Sequence, residues 1–165
     1  MSRKKILDTK HFNQKLERIA HKITEDFFDK DVIILGIKGN GEAMADLISS
    51  ALKQIGEIKN IHVGKINIDK KDSLIEPLIE ANGFDFNEKV VILCDDVLNS
   101  GKTLLYALKP LLKYNLDSLS VAVMAERSHK KYPVFANYIG FSLATTLEDH
   151  ISVEIDGERR EAFID

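Results

Sequence analysis

The chain has 165 residues, 44% of them hydrophobic and 30% charged, with a net charge of −3. That length is enough for one domain with a proper core, and the two fractions are those of a water-soluble globular protein. The negative balance argues against general nucleic-acid affinity, no apolar run approaches a membrane span, and a single cysteine, Cys94, permits no internal disulfide. One domain over residues 1–165 is expected, in a reducing cytoplasm. The N-terminal Met-Ser-Arg-Lys-Lys lacks a signal-peptide core.

Residues 9–28 predict an amphipathic helix capped by Asp8, with Phe12, Leu16, Ile19, Ala20, Ile23 and Phe27 as its apolar stripe. Residues 31–36 predict a short buried strand. Gly36, Gly39 and Gly41 then punctuate a loop before a second helix, whose inward face is Met44, Leu47, Ile48, Ala51, Leu52 and Ile55. Residues 61–68 alternate like a strand open to water on one side. Residues 69–88 have no clear period and read as a mobile loop or hairpin. Val90 to Leu93 is an apolar β-branched run, the mark of a strand buried on both faces. A helix follows with Leu104, Leu105, Leu108, Leu111 and Leu112 on one face. Three more strands are expected, at residues 118–124, 138–141 and 152–155. Strands alternating with helices imply an α/β fold. Its sheet should be doubly wound and mostly parallel, flanked by helices, with ligands at the carboxyl ends of the strands.

The richest stretch is residues 89–103, Lys-Val-Val-Ile-Leu-Cys-Asp-Asp-Val-Leu-Asn-Ser-Gly-Lys-Thr. Asp95 and Asp96 adjoin at the end of a buried strand, where a structural role rarely requires two carboxylates. A sugar diol or a hydrated magnesium ion would use both as acceptors. Asn99, Ser100, Gly101, Lys102 and Thr103 then offer hydroxyls, a glycine and backbone N–H groups suited to a phosphate. Diol acceptors one turn before a phosphate cradle describe a ribose-5-phosphate site. A triphosphate P-loop is excluded, because its first glycine would fall at Asp96. Response-regulator receivers place their acidic doublet after the first strand, not past mid-chain. Cys94 reads as a small apolar filler rather than a nucleophile.

This stretch resembles the signature of type I phosphoribosyltransferases, enzymes that use phosphoribosyl pyrophosphate (PRPP). Within them the chain is similar to the pyrimidine-operon regulator/uracil phosphoribosyltransferase family, PyrR. The likeness runs through Ile6-Leu7-Asp8, Arg18-Ile19-Ala20-His21, Gly36-Ile37-Lys38, Val63-Gly64, Asp95-Asp96-Val97-Leu98 and Asn137-Tyr138-Ile139-Gly140. It implies a type I phosphoribosyltransferase fold with a small C-terminal hood, and a homo-oligomer (dimer or tetramer) that binds PRPP and a nucleobase or a nucleoside monophosphate. Asp95 and Asp96 would be catalytic and would hold Mg²⁺. Asn99, Ser100, Gly101, Lys102 and Thr103 would hold the 5′-phosphate, and Lys38, Gly39, Asn40 and Gly41 pyrophosphate. Ile151 and Val153 would line the base pocket, although ordinary strand packing explains them equally well.

The chain departs from the family at two loops of the expected site. PyrR-like proteins carry Thr-Arg-Gly after the lysine, where this chain has Gly39-Asn40-Gly41, nearer the Lys-Gly-x loop of hypoxanthine phosphoribosyltransferases. The flexible catalytic loop, an aromatic-Arg-Asp-Asp cluster in PyrR-like proteins, reduces to Asp69-Lys70-Lys71-Asp72. Purine enzymes place a lysine at Glu126 and an aspartate at Asn99, so both purine markers are absent. The implied activity is transfer of ribose-5-phosphate from PRPP to a uracil-like base. The alternatives are a weakly catalytic or non-catalytic PRPP- and nucleotide-sensing regulator, and a hypoxanthine/guanine-type transferase. The family also binds messenger RNA through a basic face matched here by Arg18, His21, His129 and Lys130. Neighbouring arginines are missing, so solvated surface is the expectation for these four, and RNA is not favoured.

Overall fold

A computed structural model describes residues 3–69, 76–81, 83–144 and 149–165. In chain order the elements are β1 (Lys4–Leu7), α1 (Thr9–Asp26), β2 (Asp31–Ile37), α2 (Asn40–Ile55), β3 (Asn60–Asn67) and β4 (Leu78–Glu80). Then come β5 (Val90–Leu98), α3 (Lys102–Leu108) with a single 3₁₀ turn (Lys109–Leu111), β6 (Ser118–Arg127), β7 (Tyr138–Leu143), β8 (Ile151–Asp156) and β9 (Arg159–Ile164).

Local chemistry sets the helix starts. The Asp8 carboxylate accepts the His11 N–H at 2.9 Å, capping α1 as its sequence predicts. From there Phe12, Leu16, Ile19, Ala20 and Ile23 fall on one buried face. At α2 the Glu42 carboxylate reaches back to the Gly39 N–H at 3.0 Å, and left-handed Gly56 ends the helix.

Six strands form the main sheet in the order β4-β3-β2-β5-β6-β7, all parallel except β4, which pairs antiparallel with β3. Both faces of its central strands are covered, and the two-residue period sorts their side chains. Ile34, Ile92, Cys94, Ala122 and Met124 point toward α1 and α2, in one core cluster. Leu35, Val91, Leu93, Val121 and Val123 join Leu104, Ala107 and Leu111 of the α3 side in the other. Strand order reverses between β2 and β5, and the carboxyl ends of those two strands open a crevice where such folds bind ligands.

The hood is a separate antiparallel sheet, β1-β9-β8, built from both ends of the chain. The sequence reading placed β8 and missed β1 and β9. It also carried the helix after β5 through Leu112; the chain instead tightens into a 3₁₀ turn around Pro110, and Leu112 is 73% exposed. Proline cannot donate the next helical hydrogen bond, which explains the early stop. The expected loop or hairpin at 69–88 includes β4, while Lys70, Lys71 and Asp72 lie outside the described residues.

Candidate active site

Strand β5 does not end at the acidic doublet but carries it, running on to Leu98 with Asp95 and Asp96 inside the strand. Asp95 is only 8% exposed. The doublet is tied down locally, for Asp95 Oδ1 accepts the Asp96 N–H at 2.9 Å, and Asp96 Oδ1 accepts the Val97 N–H at 2.8 Å. These bonds fix the carboxylates in place and leave lone pairs for a ligand.

Gly41 lets the start of α2 reach this strand. A Cβ there would lie 2.8 Å from the Cys94 carbonyl oxygen and 3.3 Å from Asp95 Oδ1. The close approach brings Asn40 onto the doublet. Its Nδ2 donates to Asp96 Oδ2 and to the Val153 carbonyl oxygen of β8, each at 2.8 Å. The turn after β2 also holds an anion of its own. Glu42 Oε2 takes the Gly39 N–H and Oε1 lies 3.4 Å from Lys65 Nζ. That N–H, and then Lys65, hold the Glu42 carboxyl below its ordinary value.

The turn after β5 is pinned from the other side. Ser100 O accepts the N–H groups of Lys131 and Tyr132, at 3.1 and 3.0 Å, and Gly101 takes the left-handed conformation (φ +85°) that starts α3. Asn99 Oδ1 is buried with no hydrogen-bond partner among the described residues, an acceptor that calls for a donor.

These segments enclose a cleft of about 350 Å³, within the range of small-molecule sites. Of the sequence-predicted residues it gathers Asn40, Asp95, Asp96, Asn99, Ser100, Gly101, Thr103, Ile151 and Val153. Lys38, Gly39, Gly41 and Lys102 do not line it, and the Lys102 ammonium lies 6.0 Å over the Tyr106 ring. Ile151 and Val153 are 1% and 5% exposed, so the side chains are buried, and the Val153 carbonyl faces Asn40. Cys94 is fully buried, and burial with the neighbouring Asp95 pushes its thiol far up, as a filler requires.

A second hollow adjoins the first through Asn99, Ser100 and His150, and is also lined by Arg127, His129, Lys130 and Lys131. Sequence reasoning missed His150 and Lys131 there; only the pairing of β8 with β9 brings His150 back over the cleft. Glu126, at the end of β6, accepts Lys130 Nζ at 2.6 Å and Ser142 Oγ at 3.4 Å. Lys130 is therefore not solvated surface, its side chain being 11% exposed. Nor is Arg18 simply solvated, since its guanidinium donates to the Gly140 carbonyl oxygen at 2.6 Å, tying α1 to β7.

The sequence profile of the phosphoribosyl transferase domain matches residues 2–157. The bifunctional protein PyrR of Clostridium novyi (strain NT) is 33% identical over 165 residues, covering 93% of this chain and 92% of its own. That of Streptococcus agalactiae serotype V is 33% identical over 172 residues, covering 100% and 99%. Among solved structures, a hypoxanthine-guanine phosphoribosyltransferase of Bacillus anthracis superposes with a TM-score of 0.75 at 15% identity, over 99% of this chain and 100% of that one. A hypoxanthine phosphoribosyltransferase of Staphylococcus aureus gives 0.73 at 15% identity, over 89% and 80%. At such identity the structures speak for the fold alone. The full-length match to PyrR proteins goes further: this chain is a pentosyltransferase and belongs to the type I phosphoribosyltransferase family, in its PyrR branch.

Proposed function

We propose that this cleft transfers ribose-5-phosphate from PRPP to a uracil-like base, and that the single domain does so in the cytoplasm as a pyrimidine-salvage enzyme. The observation that carries the reading is the meeting of the Asp95-Asp96 doublet with the 99–103 turn around one cleft of sugar-phosphate size. A ring nitrogen of the base attacks the anomeric carbon while pyrophosphate leaves, and positive charge develops on the ribose in between. Asp95 and Asp96 accept the ribose hydroxyls and face that charge. Backbone N–H groups and the hydroxyls of Ser100 and Thr103 take the 5′-phosphate, with Asn99, Gly101 and Lys102 shaping the turn. The Lys38–Gly41 turn serves pyrophosphate through its backbone and the Lys38 ammonium. The hood backbone at Ile151 and Val153 borders the base. Glu126, already holding Lys130, favours a pyrimidine over a purine that wants a lysine there.

Mg²⁺ fits the donor set. Asp95 and Asp96 offer hard oxygens, no third His, Cys, Asp or Glu converges on them among the described residues, and this ion keeps water and substrate oxygens as ligands. When bound it neutralises the charge gathering on pyrophosphate. A dimer or tetramer is part of the proposal, testable by sedimentation.

The experiment is pyrophosphate release from PRPP and Mg²⁺ with each nucleobase in turn. Uracil fastest is the expected result, and brisk turnover with a purine overturns the pyrimidine assignment. One observation favours a second reading, a nucleotide-sensing regulator of low turnover: the Gly39 N–H is engaged by the chain's own Glu42 carboxylate. In that case nucleotides bind tightly while every base is silent. Any RNA binding then falls with salt.

A further inference from the structure

We propose that the Asn40 side chain is a positioning residue that fastens the ribose carboxylate Asp96 to the hood, and is not a pyrophosphate ligand. The inference rests on the assignment of Asp95 and Asp96 to ribose. Three segments distant in sequence meet at this amide: the turn after β2, strand β5 and the hood strand β8. Both hydrogens of Nδ2 are in use, one on Asp96 Oδ2 and one on the Val153 carbonyl oxygen, each at 2.8 Å. A carboxylate and a carbonyl are acceptors, so the nitrogen has to face them. What the side chain has left is Oδ1, an acceptor, which is the wrong polarity for a pyrophosphate oxygen.

The arrangement fixes Asp96 from both sides. Val97 N–H holds Oδ1 at 2.8 Å and Asn40 holds Oδ2, so the carboxylate has one rotamer and presents its remaining lone pairs to the sugar. Through Val153, whose own side chain is 5% exposed in the core, the same amide sets where β8 roofs the cleft. Sugar and base are therefore positioned by one amide. Pyrophosphate is left to the backbone of residues 39–41 and to Lys38, groups that substitution of the Asn40 side chain leaves in place.

Calorimetry on the full-length chain tests this with three ligands: uridine monophosphate, ribose 5-phosphate and inorganic pyrophosphate. The variants are Asn40→Ser, which keeps one donor, Asn40→Ala, which keeps none, and Asn40→Asp, which keeps the shape but sets a second carboxylate against Asp96. Hydrogen bonds to a charged group correspond to a roughly tenfold to hundredfold loss for Asn40→Ala with uridine monophosphate and ribose 5-phosphate. Asn40→Ser should lose less and Asn40→Asp more, while pyrophosphate affinity stays within about threefold, the scatter of an unremoved contact. Loss of pyrophosphate affinity with unchanged nucleotide binding makes Asn40 a pyrophosphate ligand and overturns the inference. So does an equal loss of all three ligands alongside a lowered melting temperature, the signature of a merely structural residue. Wild-type binding of uridine monophosphate that Asn40→Ala leaves intact overturns the inference alone. A wild type that binds neither uridine monophosphate nor ribose 5-phosphate overturns the ribose assignment beneath it.

Discussion

Replacing Gly41 by alanine tests whether the approach of α2 to β5 is what makes the site. The added Cβ would stand 2.8 Å from the Cys94 carbonyl oxygen, 3.1 Å from the Ile37 Cβ and 3.3 Å from Asp95 Oδ1. The first of these neighbours is backbone in a central strand with a parallel partner on each side, and it has no room to retreat. Relief to an ordinary carbon–oxygen contact needs a shift of roughly half an ångström, and the start of α2 is the part free to make it. Two effects on stability oppose each other. Overpacking costs about 1–3 kcal/mol, and alanine in place of glycine in a helix returns about 1 kcal/mol. The net loss should be at most about 2 kcal/mol, so the variant folds. Function should suffer far more, because the shift carries the proposed pyrophosphate turn and Asn40 away from the doublet. Misplacement by about 1 Å can cost a hundredfold, so kcat/KM for PRPP should fall roughly tenfold or more. Thermal melting and initial-rate kinetics on the same preparation separate the two. A Gly41→Ala protein with wild-type kcat/KM would refute the claim that this contact sets the geometry of the cleft.

Four further outcomes follow from the same contacts. Glu42→Gln should tighten inorganic pyrophosphate binding by about two- to tenfold in calorimetry, since it removes a negative charge from the turn and leaves Lys65 only Glu80, 3.6 Å away, as a counter-charge among the described residues. Lys130→Met should lower stability by about 2–4 kcal/mol in urea melts, because it strips Glu126, 9% exposed, of its cation and leaves it, among the described residues, the Ser142 hydroxyl at 3.4 Å. Asp31, held below its ordinary value by hydrogen bonds from Lys89 and Asn60, adds stability above pH 3.8 that is lost as pH falls through its lowered value. The melting-temperature gap between wild type and Asp31→Ala should therefore be widest near neutrality and close in acid. Cys94 should resist a thiol reagent at pH 8 until urea unfolds the chain, and prompt labelling of the native protein would contradict its burial.

The central layer of the fold was legible because it is written in local periods. The stripe of α1, the apolar runs of β2 and β5 and the face of α2 each announce themselves within a dozen residues. The hood was not, since β1 pairs with β9 across almost the whole chain, Lys4 opposite Ile164. No window of sequence contains such a pairing. One signal was available: Gly157-Glu158 is the two-residue loop between β8 and β9, with Asp156 opposite Arg159 and Gly157 at φ +56°. Read as a hairpin, it would have placed β9.

The site divides the same way. Asp95, Asp96 and the 99–103 turn, the proposed ribose-5-phosphate cradle, stood out together because one uninterrupted stretch carries them, and they do line one cleft. Asn40 was read as a weakened pyrophosphate ligand, by its place in a glycine turn, and its partners Asp96 and Val153 lie 56 and 113 residues away. Glu42 gave no signal in the sequence, since a carboxylate at the third position of a helix is ordinary capping. Sequence shows that such a residue can reach back to the N–H before it; only the fold shows that this N–H belongs to the proposed anion turn. Two residues beside this turn thus act in opposite directions. Glu42 occupies a donor that an incoming pyrophosphate would use, while Asn40 consolidates the carboxylate beside it. A chain with both features should hold its product nucleotide better than its pyrophosphate donor. That ordering, a smaller dissociation constant for uridine monophosphate than for PRPP, is open to calorimetry on the wild-type protein, and the reverse order would contradict it.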